Sequence, residues 1–266
     1  MHFHIKIIIV IIISMLSIKL SNAQSTLPYY LKEIENLNSD NKIQQYLNYD
    51  FSVLFSDDLS KYDLGFIGND FKRIRIKLIS IIKSHDDAHI YFVYGKSNVE
   101  GNICEFQGTI GIKKIHIYDK MHFGVDDYYK NHGIKAQGIL IADYTFYENP
   151  RQKHPGCFKG EINSFWYIDS NNKLVYDEIE RDSDGWRNNQ FFGTWTSFSD
   201  SKSEKCNWGH ARIPESDDLD IGVAEFYPDK KYWNKGWEIY YKANCIYPKT
   251  KQSEEASNLE NEEWWE

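Results

Sequence analysis

The sequence lacks the short motifs that mark the common classes of enzyme. None of its 16 glycines belongs to a G-x-S-x-G nucleophile turn, a phosphate-binding loop or a G-x-G-x-x-G dinucleotide motif. No H-E-x-x-H zinc motif occurs among its 9 histidines, and its 4 cysteines include no C-x-x-C pair. These absences remove the usual routes to hydrolase, nucleotide, zinc and thioredoxin chemistry. We therefore expect neither a cofactor nor a metal.

Paired histidines and acidic loops are present without the rest of a metal motif. His85 and His89 are separated by residues that predict a β-turn, and no third ligand follows at a recognisable spacing. The segments 182–185 and 217–220 resemble parts of calcium loops, but neither continues to the glutamate that completes an EF-hand. We interpret them as turns, with a weak surface calcium site at 217–220 as the alternative.

Positive charge is not in excess. The 31 Lys and Arg are outnumbered by 39 Asp and Glu, which gives a formal net charge of -8. A nucleic-acid-binding domain needs a basic stripe, and an anionic membrane surface attracts basic segments, so the sequence disfavours both partners. We expect the partner to be a small polar ligand, a carbohydrate or another protein.

The single long apolar run lies at the start of the chain and predicts a signal peptide over residues 1–23. Lys6 supplies the basic start, Ile7 to Ile13 the apolar segment, and Ser21-Asn22-Ala23 a small-x-small cleavage site. The apolar segment is too short for a comfortable membrane span. An uncleaved anchor is the alternative, because Lys19 flanks the run on its far side. Cleavage would give a secreted or periplasmic chain with no membrane span.

The few cysteines in a chain expected to be exported favour disulfide bonds. Their even number fits pairing, although four cysteines permit three pairings and the sequence does not choose among them. Buried free thiols are the alternative, because a chain of this length does not need covalent cross-links to fold. The candidates are Cys104, Cys157, Cys206 and Cys245.

From Phe71 onward, the pattern of apolar and polar residues predicts strands. In the stretch 73–78, Arg or Lys alternates with Ile or Leu, which is typical of a half-buried antiparallel strand with one face in water. Short strands joined by turns, with no long helical period after Asn48, indicate a mainly β fold. We predict a single antiparallel meander that forms a barrel or a strongly curved sandwich. Further strands are predicted at 90–94, 103–112, 115–118, 135–147, 157–169, 173–179, 191–196, 220–226 and 237–245.

Glycines follow aromatic residues in several of the predicted strands. Gly108 and Gly160 each come two residues after a phenylalanine, and Gly193 directly follows Phe192. Such glycines mark close backbone approaches or bends, which a sheet needs in order to close. The Gly193-Thr194-Trp195 stretch resembles the G-x-W strand of the calycin barrels, the lipocalins and avidins. That motif lies near the start of a lipocalin barrel and comes late here, so the resemblance implies barrel architecture alone.

The remaining segments divide the chain into four parts. After the signal peptide, residues 24–60 are predicted to form a short helical N-terminal cover, with one helix from Thr26 and a second carrying Ile43 and Leu47. Residues 61–247 form the antiparallel β domain. The tail, 248–266, has six Glu against two Lys after Pro248 and almost no apolar residues, which predicts disorder. The terminal pair Trp264-Trp265 is unusual on such a tail.

The densest mixture of aromatic and polar side chains surrounds a predicted loop, 199–212. Trp195, Trp208, His210 and Arg212 would supply stacking surfaces and hydrogen-bond donors there, and are the candidate ligand-binding residues. The alternative is that Trp208 closes the end of the barrel and Arg212 pairs with a nearby aspartate.

Three classes of function remain open. The sequence favours an exported, non-enzymatic binding or interaction module, because catalytic motifs are missing. The second hypothesis is an extracytoplasmic glycan hydrolase that uses a carboxylate pair among Asp218, Asp220 and Glu225. A structural protein of the cell surface is the third, supported only by the strand content.

Overall fold

A computed structural model of the chain describes residues 34–55, residue 59 and residues 63–266. The predicted signal peptide, 1–23, and the first part of the predicted N-terminal helix lie outside the described residues. Within the described part of the chain, no helix is both long enough and apolar enough to span a membrane.

The fold is mainly β, as predicted. Eight antiparallel strands close into a barrel, and a ninth strand, β7, pairs with the end of β6 outside it. Around the barrel the order is β1, β2, β3, β4, β5, β6, β8 and β9, with β9 returning to β1. The strands are β1 (Asp63–Ile67), β2 (Lys72–Lys83), β3 (Ile90–Val99), β4 (Asn102–Ile117), β5 (Ala136–Glu148), β6 (Gly156–Ile168), β7 (Leu174–Tyr176), β8 (Asn188–Ser197) and β9 (Ser203–His210).

Two of the strand glycines allow neighbouring strands to approach closely. A Cβ atom on Gly108 would lie 1.9 Å from the backbone oxygen of Thr145, and one on Gly160 would lie 1.9 Å from that of Phe192. Any side chain at these positions would push the strands apart. The close approach expected from the glycine pattern is therefore present where β4 meets β5 and where β6 meets β8.

Large aromatic side chains fill the barrel. The rings of Phe191 and Trp208 stack with centroids 4.4 Å apart, and Tyr144 meets Trp208 edge-on at 5.1 Å. Phe106 and Phe146 form a second stacked pair at 5.1 Å. Such offset and edge-to-face arrangements are the ones that aromatic quadrupoles prefer, so the interior is a packed core.

One end of the barrel is closed by the N-terminal segment. It contains a short helix, α1 (Ile43–Tyr46), and a 3-10 turn, Phe51–Phe55, with Phe51 and Leu54 fully buried. The backbone nitrogen of Phe51 donates to the hydroxyl of Tyr91, 3.0 Å away. This segment corresponds to the second half of the predicted helical cover.

The last two predicted strands are not strands. Residues 220–226 form an irregular loop with only an isolated bridge from Asp220 to Pro228. Residues Trp237–Asn244 form a helix, α2, which begins after Gly236 in the left-handed conformation. Phe226, Trp237 and Tyr240 pack together beside the barrel, so these aromatic residues fill a second, smaller core.

The prediction of a disordered tail is wrong. A helix, α3 (Lys251–Glu260), begins with a capping box between Thr250 and Ser253 and packs along α2. Beyond it, the tail lies on the Arg and Lys side chains of β2, so that the face of β2 predicted to be in water is covered. Ionic and aromatic contacts, which the apolar pattern does not record, provide this order.

The prediction of disulfide bonds is also wrong in this structure. Cys104, Cys157, Cys206 and Cys245 are all free thiols. Cys104 and Cys206 are buried in the barrel, at 1% and 0% exposure, and behave there as small apolar side chains. The packed aromatic core makes covalent cross-links unnecessary.

Candidate functional site

The four predicted ligand-binding residues do not converge on one open site. The predicted loop 199–212 is mostly strand β9, which carries Trp208 into the barrel core at 2% exposure. A neighbouring interior cavity, bounded by Trp208, His210 and Phe191, has a volume of only about 20 Å³. That volume holds a single water molecule. The placement supports the alternative in which Trp208 closes the barrel, and ligand binding by these residues stays a prediction.

His210 takes part in a buried hydrogen-bond chain at the end of β9. Its Nε2 lies 2.9 Å from a carboxylate oxygen of Asp63, and its Nδ1 lies 2.6 Å from the hydroxyl of Tyr176. Asn189 approaches the same Nε2 at 3.4 Å and donates to the backbone oxygen of Leu54 at 2.7 Å. These hydrogen bonds connect β1, β7, β8 and β9 to the N-terminal segment.

The side chains of Trp195 and Arg212 have different partners and lie in different parts of the molecule. The indole nitrogen of Trp195 donates to Glu148 at 2.9 Å, and the backbone nitrogen of Gly156 donates to the same oxygen at 2.7 Å. Burial raises the pKa of the Glu148 carboxyl, although these hydrogen bonds oppose the shift. Arg212 forms an ion pair with Asp220 and donates to the backbone oxygen of Gly222 at 3.0 Å.

Two of the three carboxylates proposed for glycan hydrolysis are engaged in other contacts. Asp220 is held by Arg212 and accepts from the backbone nitrogen of Gly222. Asp218 is exposed and binds the side chains of Lys231 and Tyr232, and these bonds lower its pKa. A glycosidase acid needs the opposite shift.

Metal ligands do not cluster in the described part of the chain. Among those residues, no group of three or more His, Cys, Asp or Glu side chains could hold a metal ion. His89 instead forms a 2.8 Å contact with Asp87 inside the β2–β3 turn.

A cleft of about 930 Å³ lies on the outside of the barrel, at the end that the N-terminal segment closes. One wall is the loop after β4 and the other is the loop after β7, with Phe165 of β6 at its base. Apolar side chains line part of it, and acidic, basic, histidine and tyrosine side chains line the rest, with Lys120, Lys130 and Arg187 as the basic ones. The apolar group comprises Met121, Phe123, Phe165 and Trp186, and the polar group Tyr118, His122, Asp177 and Glu180.

The first wall is fixed by a glutamine. The backbone nitrogen of His122 donates to the side-chain oxygen of Gln137 at 2.8 Å, and the side-chain nitrogen of Gln137 donates to the backbone oxygen of His122 at 2.7 Å. Gln137 is itself buried on β5. The ring of His122 meets that of Tyr118 edge-on at 5.1 Å. This clamp presents both rings to the cleft from a rigid strand.

The second wall follows β7. Asp177 is 5% exposed, and its carboxylate accepts from the backbone nitrogen of Ile179 at 2.9 Å. The side-chain amide of Asn188 holds the backbone oxygens of Asp177 and Phe165, at 3.2 and 3.0 Å. These bonds continue the sheet beyond the end of β7 and fix where Asp177 lies.

Gly124 allows the two walls of the cleft to come into contact. Gly124 has φ of 78°, and a Cβ atom there would lie 2.7 Å from the backbone oxygen of Ile179. Only glycine suits both the left-handed conformation and this approach. The contact brings the loops together at the side of the cleft.

The ionisable side chains at the cleft lie close enough to affect one another's pKa. Nδ1 of His122 lies 3.2 Å from a carboxylate oxygen of Glu180, whose other oxygen accepts from the hydroxyl of Ser183 at 2.7 Å. Burial raises the pKa of the Asp177 carboxyl, with Glu180 adding to the shift and His122 opposing it. Burial and the same two carboxylates raise the pKa of Tyr118. Perturbed ionisable groups beside a cleft are a feature of ligand-binding and acid–base sites.

The local sequence pattern does not reveal this cluster. Tyr118 and His122 follow β4, whereas Asp177 and Glu180 follow β7, and the His122–Glu180 pair spans 58 positions. Residues so far apart in the sequence form no motif that could be recognised from their spacing. Trp186 lies half-buried at the cleft edge.

Comparison of the chain with protein-family models, with curated proteins and with solved structures gave no match. The interpretation of the cleft therefore depends on its own residues.

Proposed function

We propose that this is an exported binding protein that takes a small organic ligand in the cleft between Tyr118 and Trp186. The ligand has an aromatic or aliphatic body and an amine or hydroxyl group as hydrogen-bond donor. Export is an inference from the signal-peptide pattern in residues 1–23. N-terminal sequencing of protein recovered from outside the cytoplasm tests it, with a start near Gln24 expected.

The observation that carries the proposal is the cluster of Asp177, Glu180 and His122 at one end of a partly apolar cleft. Carboxylate oxygens accept hydrogen bonds from ammonium and hydroxyl groups, while Phe165 and Trp186 offer aromatic surface to the ligand body. A cleft of about 930 Å³ is of the size that drug-sized ligands occupy.

Three probes of similar size test this ligand class: 2-phenylethylamine, glucose and benzoate. Binding is followed by the tryptophan fluorescence of the folded protein and by ligand-observed NMR. We expect the amine to bind more tightly than benzoate, whose carboxylate would meet Glu180 as well as the lining cations Lys120 and Arg187, and glucose to report on hydroxyl recognition.

Two variants and a control locate the binding. Trp186→Ala and Glu180→Gln should each weaken amine binding about tenfold, the effect of losing one aromatic contact or one charge-assisted hydrogen bond. Asp143→Asn is the control, because that carboxylate lies on the exposed face of β5 beside Lys113. Equal affinities in all three variants, or no binding by any probe, would exclude the cleft as the site.

A glycan hydrolase based on Asp218, Asp220 and Glu225 has less support. Two of these carboxylates are engaged with basic side chains, and the pKa of Asp218 is lowered. We do not propose it as a second function.

A further inference from the structure

The C-terminal residues Glu260 to Trp265, named the strap, cross the outer face of β2. Both carboxylate oxygens of Glu260 accept from the guanidinium of Arg73, at 2.7 and 2.6 Å. The backbone oxygen of Glu260 accepts from Arg75 at 2.8 Å. The strap therefore begins with a bidentate ion pair, the strongest geometry between these groups.

The two tryptophans of the strap lie over the next cations of the sheet. The guanidinium carbon of Arg75 is 5.4 Å from the ring centroid of Trp264, and Nζ of Lys77 is 4.0 Å from that of Trp265. Lys96, on the adjacent strand β3, donates to the backbone oxygen of Trp265. Arg73, Arg75, Lys77 and Lys96 thus form a cation row that matches the strap group by group.

The strap is laid on the barrel and does not contribute to its core. Trp264 and Trp265 are half-buried, and Asn261, Glu262 and Glu263 are exposed. The contacts with the cation row are ion pairs, cation–π contacts and hydrogen bonds to backbone oxygens. Such contacts recognise a peptide and can be exchanged for those of another peptide, unlike the interdigitated packing of a core.

A second cleft, of about 780 Å³, lies beside the strap. Its walls include Arg73, Arg75 and Lys77 of the cation row, the rings of Phe226 and Tyr240, and the strap tryptophans themselves. Acidic side chains also line it: Asp63, Asp182, Asp184 and Glu225. Displacement of the strap would uncover the cation row along this space and expose a continuous surface with basic, aromatic and acidic parts.

We propose that the cation row is a recognition surface for acidic, tryptophan-containing peptides, and that the strap is its resident ligand in cis. The short connection through α3 gives the strap a high effective concentration at the row, so a peptide in trans binds only when the strap is removed. The partner would carry a glutamate followed by paired aromatic residues, as the strap does.

The test uses a chain that ends at Leu259 and a fluorescein-labelled synthetic peptide with the sequence of residues 259–266. Fluorescence anisotropy should detect binding to the shortened chain and at least about tenfold weaker binding to the full chain, as expected for competition in cis. Raising the salt concentration should weaken the binding, because it depends on ion pairs. A peptide with serine in place of both tryptophans should bind about tenfold more weakly.

Substitutions in the cation row locate the interaction. Arg75→Gln together with Lys77→Gln in the shortened chain should abolish most of the binding. Lys113→Gln, on the outer face of β4, should leave it unchanged. Equal loss in the row variant and the control, or equal binding by shortened and full chains, would overturn the proposal.

A full-length variant provides a second test in case the shortened chain does not fold. Glu260→Gln with Trp264→Ser and Trp265→Ser keeps α3 while removing the contacts of the strap. Circular dichroism and thermal unfolding check that it is folded, and it should bind the peptide as the shortened chain does. Failure of both proteins to fold would also count against the proposal, since the strap would then be an integral part of the barrel.

Discussion

Arg73 and Glu260, 187 positions apart, form a bidentate ion pair in which both side chains are largely covered, at 10% and 14% exposure. The guanidinium also lies 5.3 Å from the ring centroid of Trp237 on α2. The pair therefore connects the barrel, the α2–α3 hairpin and the C-terminus. It holds the start of the strap against the outer face of β2.

Removal of the negative charge from this pair should destabilise the protein. Glu260→Gln is expected to lower the free energy of unfolding by about 1–3 kcal/mol, because hydrogen bonds between charged groups contribute in this range and Arg73 is partly desolvated. Denaturant unfolding with a far-UV signal measures the loss.

Glu238→Gln is the matched control for Glu260→Gln. Glu238 pairs with Lys242 at 2.7 Å on the surface of α2, with both side chains substantially exposed. Its loss should cost at most about 0.5 kcal/mol. Similar effects of the two substitutions would mean that the Arg73–Glu260 pair is no stronger than a surface pair.

Truncation of Trp208 should be among the most destabilising single changes in the chain. The ring is 2% exposed and stacks on Phe191, so Trp208→Ala would leave a large cavity in the barrel. We expect a loss of about 3–5 kcal/mol. Tyr147→Ala, at an exposed position of β5, should change the stability by less than about 0.5 kcal/mol. A small loss at Trp208 would instead favour the ligand-binding hypothesis for that residue.

The barrel could be predicted from the sequence because strand periodicity is local. Alternation along 73–78 and the glycines Gly108 and Gly160 record the pleat and the close strand pairs directly. Strand β1 was missed, since Asp63–Ile67 is short and buried at four of its five positions, which leaves no alternation to detect.

The helices near the C-terminus were mispredicted because long-range contacts outweigh local propensity there. The β-branched and aromatic residues of 237–245 favour a strand, yet Trp237 and Tyr240 both face Phe226 once they are helical. In α3 a local signal existed, the pairing of Thr250 with Ser253, but the ion pair with Arg73 cannot be read from the tail alone. The cleft was missed for the same reason, as its two walls come from distant segments.

The thiols of the protein should all be titratable after unfolding. With no disulfide present, a thiol reagent in denaturant without reductant should detect four groups per chain. In the folded protein the reaction should be slow, because Cys206 is inaccessible and burial raises the pKa of Cys104 and Cys245 to about 11. Detection of two groups or none in denaturant would indicate disulfides absent from this structure.

Asp177 should make the stability depend on pH in a direction opposite to that of an ordinary salt-bridged aspartate. Burial raises its pKa above the unfolded value of 3.8, an effect to which Glu180 and Glu178 add and which the Ile179 nitrogen and His122 oppose. Between the two pKa values the folded state binds more protons than the unfolded state. The contribution of this carboxyl to the free energy of unfolding therefore falls as the pH rises.

Asp177→Asn isolates that contribution, because asparagine keeps an oxygen for the Ile179 nitrogen and does not titrate. At a pH below 3.8 the aspartate is neutral in both states, and the substitution should change the stability by a constant amount. Above that pH the unfolded aspartate ionises while the buried one keeps its proton, and this difference favours unfolding of the wild type. The variant has no such group, so its stability does not change for this reason. The difference in free energy of unfolding, variant minus wild type, should thus increase as the pH rises above 3.8 and level off above the raised pKa. Urea unfolding at a series of pH values measures this difference, with Asp143→Asn, an exposed carboxylate 3.0 Å from Lys113, as the control. A difference that stays flat or decreases would show that the Asp177 carboxylate is stabilised where it lies, contrary to the effect expected from its burial.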